Sequence, residues 1–149
     1  MKGLIQRVKH ASVKIDGDIF SQINNGFLIL LGVDKGDSEA NADKLAEKVS
    51  KLRIFEDEND KMNLSLQDVN GEMLVISQFT LLADARKGRR PNFVKAARPE
   101  QAKMLYDHFV ENVKAQGINV AEGIFQTHML VRIHNDGPVT ILLDSNKLF

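Results

Sequence analysis

The 149-residue sequence contains no cysteine, which excludes disulfides, thiolate nucleophiles and thiolate metal sites. It also lacks a long apolar run: residues 27–31 form the longest one, whereas a bilayer-spanning helix needs roughly 20 residues. The N-terminal segment MKGLIQRVKH alternates apolar and polar residues, unlike the apolar centre of a signal peptide. Neither sign of charge dominates, with 20 basic and 20 acidic residues. We expect one cytosolic domain over residues 1–149 and no membrane partner.

Proline is scarce, and each of the three prolines marks a boundary. Pro91 lies in a predicted loop at 86–97, and Pro99 suits the first position of a helix that Gly117 ends. An earlier helix begins near Ser38. Apolar residues recur at helical spacing in both segments. The two stripes are Ala42, Leu45, Ala46, Val49 and Leu52, and Ala102, Leu105, Tyr106, Phe109, Val110 and Val113.

The rest of the chain predicts strands and turns. Asp16-Gly17-Asp18 is a strong hairpin signal, and residues 55–70 are polar and irregular, as in a surface loop. Together with the two amphipathic helices, the strands predict an α+β fold with a compact, barrel-like sheet. The predicted strands are 3–9, 11–15, 19–23, 27–33, 73–82, 119–122, 127–135 and 139–144.

The third proline, Pro138, lies in the segment HNDGPVT at 134–140, between two predicted strands. Asp136-Gly137 alone would suffice for a hairpin turn. Pro138 has no N–H for a sheet ladder and restricts Gly137 to extended conformations. The sequence therefore indicates that this Gly-Pro pair does more than close a turn.

Familiar catalytic and metal motifs are missing. The four histidines have no HExxH-type spacing, and GxSxG is absent, so we predict no metal site and no serine hydrolase triad. The apolar segment LVISQFTLL at 74–82 is interrupted by Ser77, Gln78 and Thr80. Such an interruption is typical of an edge strand, or of a pocket mouth that offers hydroxyl, amide and backbone donors. No obvious base accompanies Thr80, which argues against a triad.

Positive charge is concentrated between residues 86 and 98, where no acidic residue occurs. A solvated surface explains such a cluster as well as a polyanion contact does, in which each Lys or Arg displaces counterions from phosphate. The basic residues are Arg86, Lys87, Arg89, Arg90, Lys95 and Arg98.

Two motifs together resemble one known family. SQFTL at 77–81 and the N-x-G-P-x-T pattern at 135–140 are similar to the two signature motifs of the D-aminoacyl-tRNA deacylases. The opening Gln6-Arg7-Val8 and the KGRRPNF loop at 87–93 are similar as well, and the resemblance covers essentially the whole chain. One motif alone would be weak evidence, but both in the right order are specific.

The resemblance implies a barrel-like homodimer, with its active site at the subunit interface, that hydrolyses the ester of D-aminoacyl-tRNA and of glycine mischarged onto tRNA. It implies that Gly137-Pro138 is cis and projects into the partner subunit's site, where it excludes L-amino acids. No cofactor, metal or DNA is implied. The implied site residues are Ser77, Gln78, Phe79 and Thr80 for catalysis, Asn135, Gly137, Pro138 and Thr140 for substrate binding and L-rejection, and Arg86, Lys87, Arg89, Arg90 and Phe93 for tRNA.

Three interpretations of the chain's function remain open, two catalytic and one non-catalytic. We favour substrate-assisted hydrolysis, in which the protein orients an activated ester, supplies N–H donors to the developing oxyanion and admits water. In the second, Thr80 is a covalent nucleophile. In the third, the chain is a non-catalytic RNA-binding module in which the basic loop contacts phosphates and Phe79 or Phe93 stacks on a base.

Overall fold

A long first strand organises the fold of residues 1–147, which the computed structural model describes. This strand pairs antiparallel with three others. On one edge, its first half pairs with residues 26–32 and its second half with residues 18–23. On the other edge, the last strand of the chain pairs along most of its length. Parallel pairs extend the sheet on the far side. The strands are β1 (Lys2–Ile15), β2 (Asp18–Ile23), β3 (Gly26–Gly32), β4 (Phe55–Glu56), β5 (Met62–Leu64), β6 (Glu72–Ser77), β7 (Asn119–Glu122) and β8 (Leu130–Asp144).

The main sheet has six strands in the order β2-β1-β3-β6-β7, with β8 added beside β1. Two helices, α1 (Glu39–Ser50) and α2 (Pro99–Ala115), pack on each other and on one face of this sheet. A second apolar cluster, which includes Val8, Leu28 and Ile76, fills the other face. The predicted α+β fold with two amphipathic helices and a barrel-like sheet is confirmed.

Both helices bury most of the stripes that their spacing predicted, from Ala42 to Val49 in α1 and from Leu105 to Val113 in α2. Ala102 is only half-buried, and Leu52 lies beyond the end of α1. Pro99 is the first residue of α2, where its missing N–H is not needed. Gly117 follows the helix with a φ of +82°, the left-handed conformation that suits glycine after a C-terminus. The Tyr106 hydroxyl donates to the Val75 carbonyl at 3.0 Å and so ties α2 to β6. Burial raises the pKa of this phenol.

Several predicted boundaries were wrong. The strands predicted at 3–9 and 11–15 are one strand, and residues 55–70 contain the short β4–β5 pair. The strand predicted over 73–82 ends at Ser77, and a 3₁₀ turn (Phe79–Leu82) follows it. This turn is closed by the Leu81 N–H to Gln78 carbonyl bond of 3.3 Å. Apolar content alone does not separate a strand from a turn that buries Leu82.

The segment HNDGPVT is not a hairpin turn. Both of its flanks belong to β8, which runs in one direction along β1 and begins at Leu130, not at the predicted residue 127. Gln6 lies opposite Thr140 and Val8 lies opposite Asn135, so residues 136–139 bulge out across Arg7 alone. A bulge of this kind bends a strand and re-aims its residues without reversing the chain.

Candidate active site

A cavity of about 710 Å³ opens beside the C-terminal ends of β3 and β6. Its walls combine apolar side chains with a few polar groups, the composition expected of a small-molecule site. Ser77, Gln78 and Phe79 form one wall, and the segment 125–129 forms another. The remaining walls are Leu31 from β3, Val33 just after it, Ile76 from β6, Val131 from β8, and Ala96, Ala97, Pro99 and Ala102 around the start of α2.

The segment of residues 77–82, here called the site turn, projects polar groups at the cavity mouth. Phe79 and Thr80 are exposed, with 57% of Phe79 accessible. The Gln78 side-chain amide donates to the Thr80 hydroxyl. Within residues 1–147, this hydroxyl has no hydrogen bond to a carboxylate or an imidazole, and Thr80 does not line the cavity. The site turn therefore presents hydroxyl and amide groups without an attached base.

The Gly137-Pro138 pair lies at the tip of the bulge in β8. The peptide bond between the two residues is cis, and both residues are exposed. Gly137 has a φ of +121°, which side-chain-bearing residues rarely adopt. A Cβ atom there would lie 2.7 Å from the Val139 Cγ2 atom and 3.1 Å from the Arg7 Nη2 atom. Only glycine fits this position.

Arg7 supports the bulge from below and is only 4% exposed. Its Nη1 atom donates to the Ile54 carbonyl at 2.7 Å and to the Glu56 carboxylate at 2.8 Å. Its Nε atom donates to the Asp136 carbonyl at 3.3 Å. The hydrogen bond from Arg7 lowers the pKa of Glu56. One guanidinium thus joins β1, the segment before β4 and the bulge.

Asn135 and Thr140 occupy the two ends of the bulge. The Asn135 side-chain amide donates to the carbonyls of Arg7 and Val139, at 3.0 and 2.9 Å, so its two N–H groups are engaged within the fold. The Thr140 hydroxyl accepts from the Gln6 amide at 3.2 Å. Both side chains fix the shape of the bulge.

The two motifs do not meet within one chain. The cavity beside the site turn includes none of residues 135–140. The site turn follows β6, while the bulge lies on β8, with β1 and β3 between these strands in the sheet. Gly137 and Pro138 do not line the cavity, and both are exposed to contact by another molecule.

The basic loop, residues 86–98, lies against the site turn. The Phe93 ring makes an edge-to-face contact with the Phe79 ring at a centroid distance of 5.1 Å. Arg86 is paired with Asp84 at 2.6 Å, and this guanidinium holds the pKa of Asp84 well below its usual range. Apart from Arg86, the cations of the loop have no ion pair in the described part of the chain. Three of them are here called the free loop cations: Lys87, Arg89 and Arg90.

Sequence reasoning missed two parts of this region as site components. Arg7 carried a signal. It follows Ile5 on the same face of the strand, and a charged side chain on an otherwise apolar face indicates a special role. The wall at 125–129 had no such signal, since residues 127–129 were predicted only as the start of a strand. Only the tertiary fold brings it to the cavity.

Residues 1–147 contain neither a cluster of metal-ligating side chains nor a membrane-spanning helix. No group of three or more His, Asp or Glu side chains is arranged to hold a metal ion in this part of the chain. No helix of the same residues has both the length and the apolar content needed to cross a bilayer.

The amino-acid sequence is similar to those of known proteins over nearly its whole length. Residues 4–144 match the family model described as D-Tyr-tRNA(Tyr) deacylase. The chain belongs to this family. It is 55% identical over 149 residues to a D-aminoacyl-tRNA deacylase of Clostridioides difficile, with full coverage of both chains. A D-aminoacyl-tRNA deacylase of Caldicellulosiruptor saccharolyticus is 57% identical over the same length and coverage.

Two solved structures share the fold of this chain. A protein described as c-Myc DNA Unwinding Element Binding Protein superimposes with a TM-score of 0.91 at 38% identity, covering 97% of this chain and 98% of that one. A probable eukaryotic D-amino acid tRNA deacylase superimposes with a TM-score of 0.82 at 16% identity, covering 96% and 98%. The second match shows the fold alone.

Proposed function

We propose that this family member hydrolyses the ester bond of D-aminoacyl-tRNA and releases free tRNA and the D-amino acid. The observation that carries this for the chain itself is the contact of Phe93 with Phe79. Through it, a cavity of amino-acyl size and a loop with free cations share one rim. A tRNA acceptor end needs both, because its phosphates require cations and its ester requires a pocket that excludes bulk water.

The proposed chemistry relies on the main chain and on the substrate. Water attacks the ester carbonyl, the oxygen of the terminal ribose leaves, and N–H groups of the site turn stabilise the negative charge that develops on the carbonyl oxygen. The vicinal 2′-hydroxyl of the ribose assists by passing the proton that the attacking water loses to the departing ribose oxygen. The Phe79 and Thr80 amides are suitable donors, because neither has an acceptor among residues 1–147. Thr80 as a nucleophile is disfavoured, because its hydroxyl accepts from Gln78 and has no base.

We propose that Gly137 and Pro138 reject L-amino acids by occupying space in the active site of a second copy of the chain. The support is their exposure at the tip of a bulge that Arg7 and Asn135 hold rigid. Rejection by fixed backbone suits a site that accepts many D side chains, because it uses no contact with the side chain itself. Glycine has no side chain to clash, so glycyl-tRNA is also a proposed substrate.

Ester loss from D-Tyr-, L-Tyr- and glycyl-tRNA tests the activity. D-Tyr- and glycyl-tRNA should be cleaved and L-Tyr-tRNA should survive. Binding of tRNA without cleavage of any ester would instead favour the non-catalytic module. Single-stranded DNA belongs in the binding assay as a competitor, because one solved relative is described as a DNA-element binding protein.

Gly137→Ala tests the selectivity. The added Cβ meets Val139 and Arg7, so the bulge has to change shape, and discrimination between D-Tyr- and L-Tyr-tRNA should fall. Gly17→Ala is the matched control, because Gly17 also has a positive φ, of +92°, but nothing lies within 4 Å of the added Cβ. Equal discrimination in both variants would remove the proposed role of the bulge.

Subunit mixing tests the second copy. In a mixed dimer of Gly137→Ala and Phe79→Ala chains, a site formed by two chains is intact at one of its positions. The mixed dimer should then cleave D-Tyr-tRNA and reject L-Tyr-tRNA better than the Gly137→Ala parent does. Discrimination as low as in that parent would place each complete site within one chain.

A further inference from the structure

β3 ends directly against the site turn, and its last residue is Gly32. A Cβ atom built on Gly32 would lie 2.7 Å from the Leu82 Cδ2 atom, 3.0 Å from the Gln78 carbonyl oxygen and 3.1 Å from the Leu81 Cβ atom. All three atoms belong to the site turn. The turn therefore fits against the strand only because this position has no side chain.

The strand is held on both sides of Gly32. The Leu31 carbonyl accepts from the Gln78 N–H at 2.8 Å, and the Val33 carbonyl accepts from the Ala97 N–H at 2.9 Å. Gly32 itself pairs with Lys2 of β1 on the other edge. Since these anchors restrain β3, a side chain at position 32 has to be accommodated by movement of the turn.

We propose that Gly32 is a positioning residue that allows the site turn to pack against β3 in its active position. This inference rests on the proposed function of residues 77–80. Rotation of the Leu82 side chain relieves one of the three short contacts. The other two involve the Gln78 carbonyl and the Leu81 Cβ, which move only with the main chain. Contacts of 3.0–3.1 Å are relieved when the neighbouring atoms move by a few tenths of an ångström, so the turn has to shift by about that much.

Gly32→Ala is the test, with single-turnover and steady-state kinetics on D-Tyr-tRNA. A misplacement of about 1 Å can lower a rate about 100-fold, so a shift of a few tenths of an ångström should lower kcat about 3- to 10-fold. KM and the dissociation constant for tRNA should change little, because the free loop cations remain. Gly3→Ala is the matched control: Gly3 is buried in the adjacent strand, and its added Cβ meets only the side chains of Ile29 and Ile5.

Two further measurements separate positioning from loss of fold. The Gly32→Ala/Leu82→Ala double variant lacks the shortest contact yet keeps the two main-chain contacts, so it should fold and still show the loss in kcat. Amide chemical shifts should move at residues 78–82 in Gly32→Ala and not in Gly3→Ala. Unmoved shifts, or a Gly32→Ala rate that falls only in proportion to the folded fraction, would overturn the inference. A wild-type chain inactive on D-Tyr-tRNA, with displaced shifts in Gly32→Ala, would overturn the proposed function alone.

Discussion

Replacing Arg7 with methionine removes the guanidinium beneath the bulge while keeping an unbranched side chain in place of the aliphatic part of arginine. The change leaves the buried Ile54 carbonyl without its donor at 2.7 Å and removes the ion pairs of Arg7 with Glu56 and Asp136. Asp136 keeps its ion pair with Lys9. We expect both the stability of the fold and the discrimination between D- and L-substrates to fall, because the same group supports the core and the bulge.

The magnitude follows from the exposure of each partner. An unsatisfied buried carbonyl costs about 1–3 kcal/mol. Glu56 is 43% exposed, so solvent screens its pair with Arg7 and this pair contributes little. Asp136 is 28% exposed, and its carbonyl loses only a long bond of 3.3 Å, which also adds little. The free energy of unfolding should therefore fall by about 1–4 kcal/mol, mainly through the Ile54 carbonyl.

Urea unfolding of the wild type and of Arg7→Met measures this difference, and deacylation of matched D- and L-Tyr-tRNA measures selectivity. Arg53→Met is the control, because the exposed Arg53 donates to a single carbonyl, that of Asn63, at 2.8 Å and should cost about 0.5 kcal/mol or less. An Arg7→Met protein within about 1 kcal/mol of the wild type, with unchanged selectivity, would refute the view that this guanidinium organises the bulge.

Three further outcomes are expected. Thr80→Ala should keep most of the rate on D-Tyr-tRNA. A substrate with a 2′-deoxy terminal adenosine should instead be cleaved much more slowly by the wild type. A Thr80→Ala loss of about 4 kcal/mol in transition-state stabilisation would establish a covalent role for this hydroxyl. Alanine at the three free loop cations should flatten the salt dependence of tRNA binding by up to about 0.7–0.9 per lost phosphate contact, and an unchanged slope would make the loop a plain solvated surface. Asp84 should stay ionised at pH 4, because Arg86 lowers its pKa below the usual 3.8. Its contribution to stability is present above that value and is lost only as pH falls through the lower, folded pKa. A carboxyl-carbon titration with a midpoint at or above 3.8 would contradict this.

Periodicity predicted the parts of the fold in which burial follows one period. The stripe in α2 is an example, since each apolar position from Leu105 to Val113 is buried as its spacing requires. Boundaries failed where a segment keeps its apolar character but changes conformation. Leu82 is as buried as a strand residue, yet it lies in a 3₁₀ turn, because β3 ends at Gly32 and offers the chain no further ladder.

Gly137-Pro138 shows the same limit at the site. The sequence indicated that the pair was more than a turn, but composition could not show that the two flanks form one strand, because register is a property of the partner strand. Arg7 links the two levels. It lies within β1, faces the bulge of β8 and bonds to the segment before β4, three elements far apart in the sequence. A sequence motif can indicate which residues take part in the reaction. The residues that hold them in place are identified only by their contacts in the folded chain. That is why the positioning residues inferred for this chain, Arg7 and Gly32, lie outside both motifs.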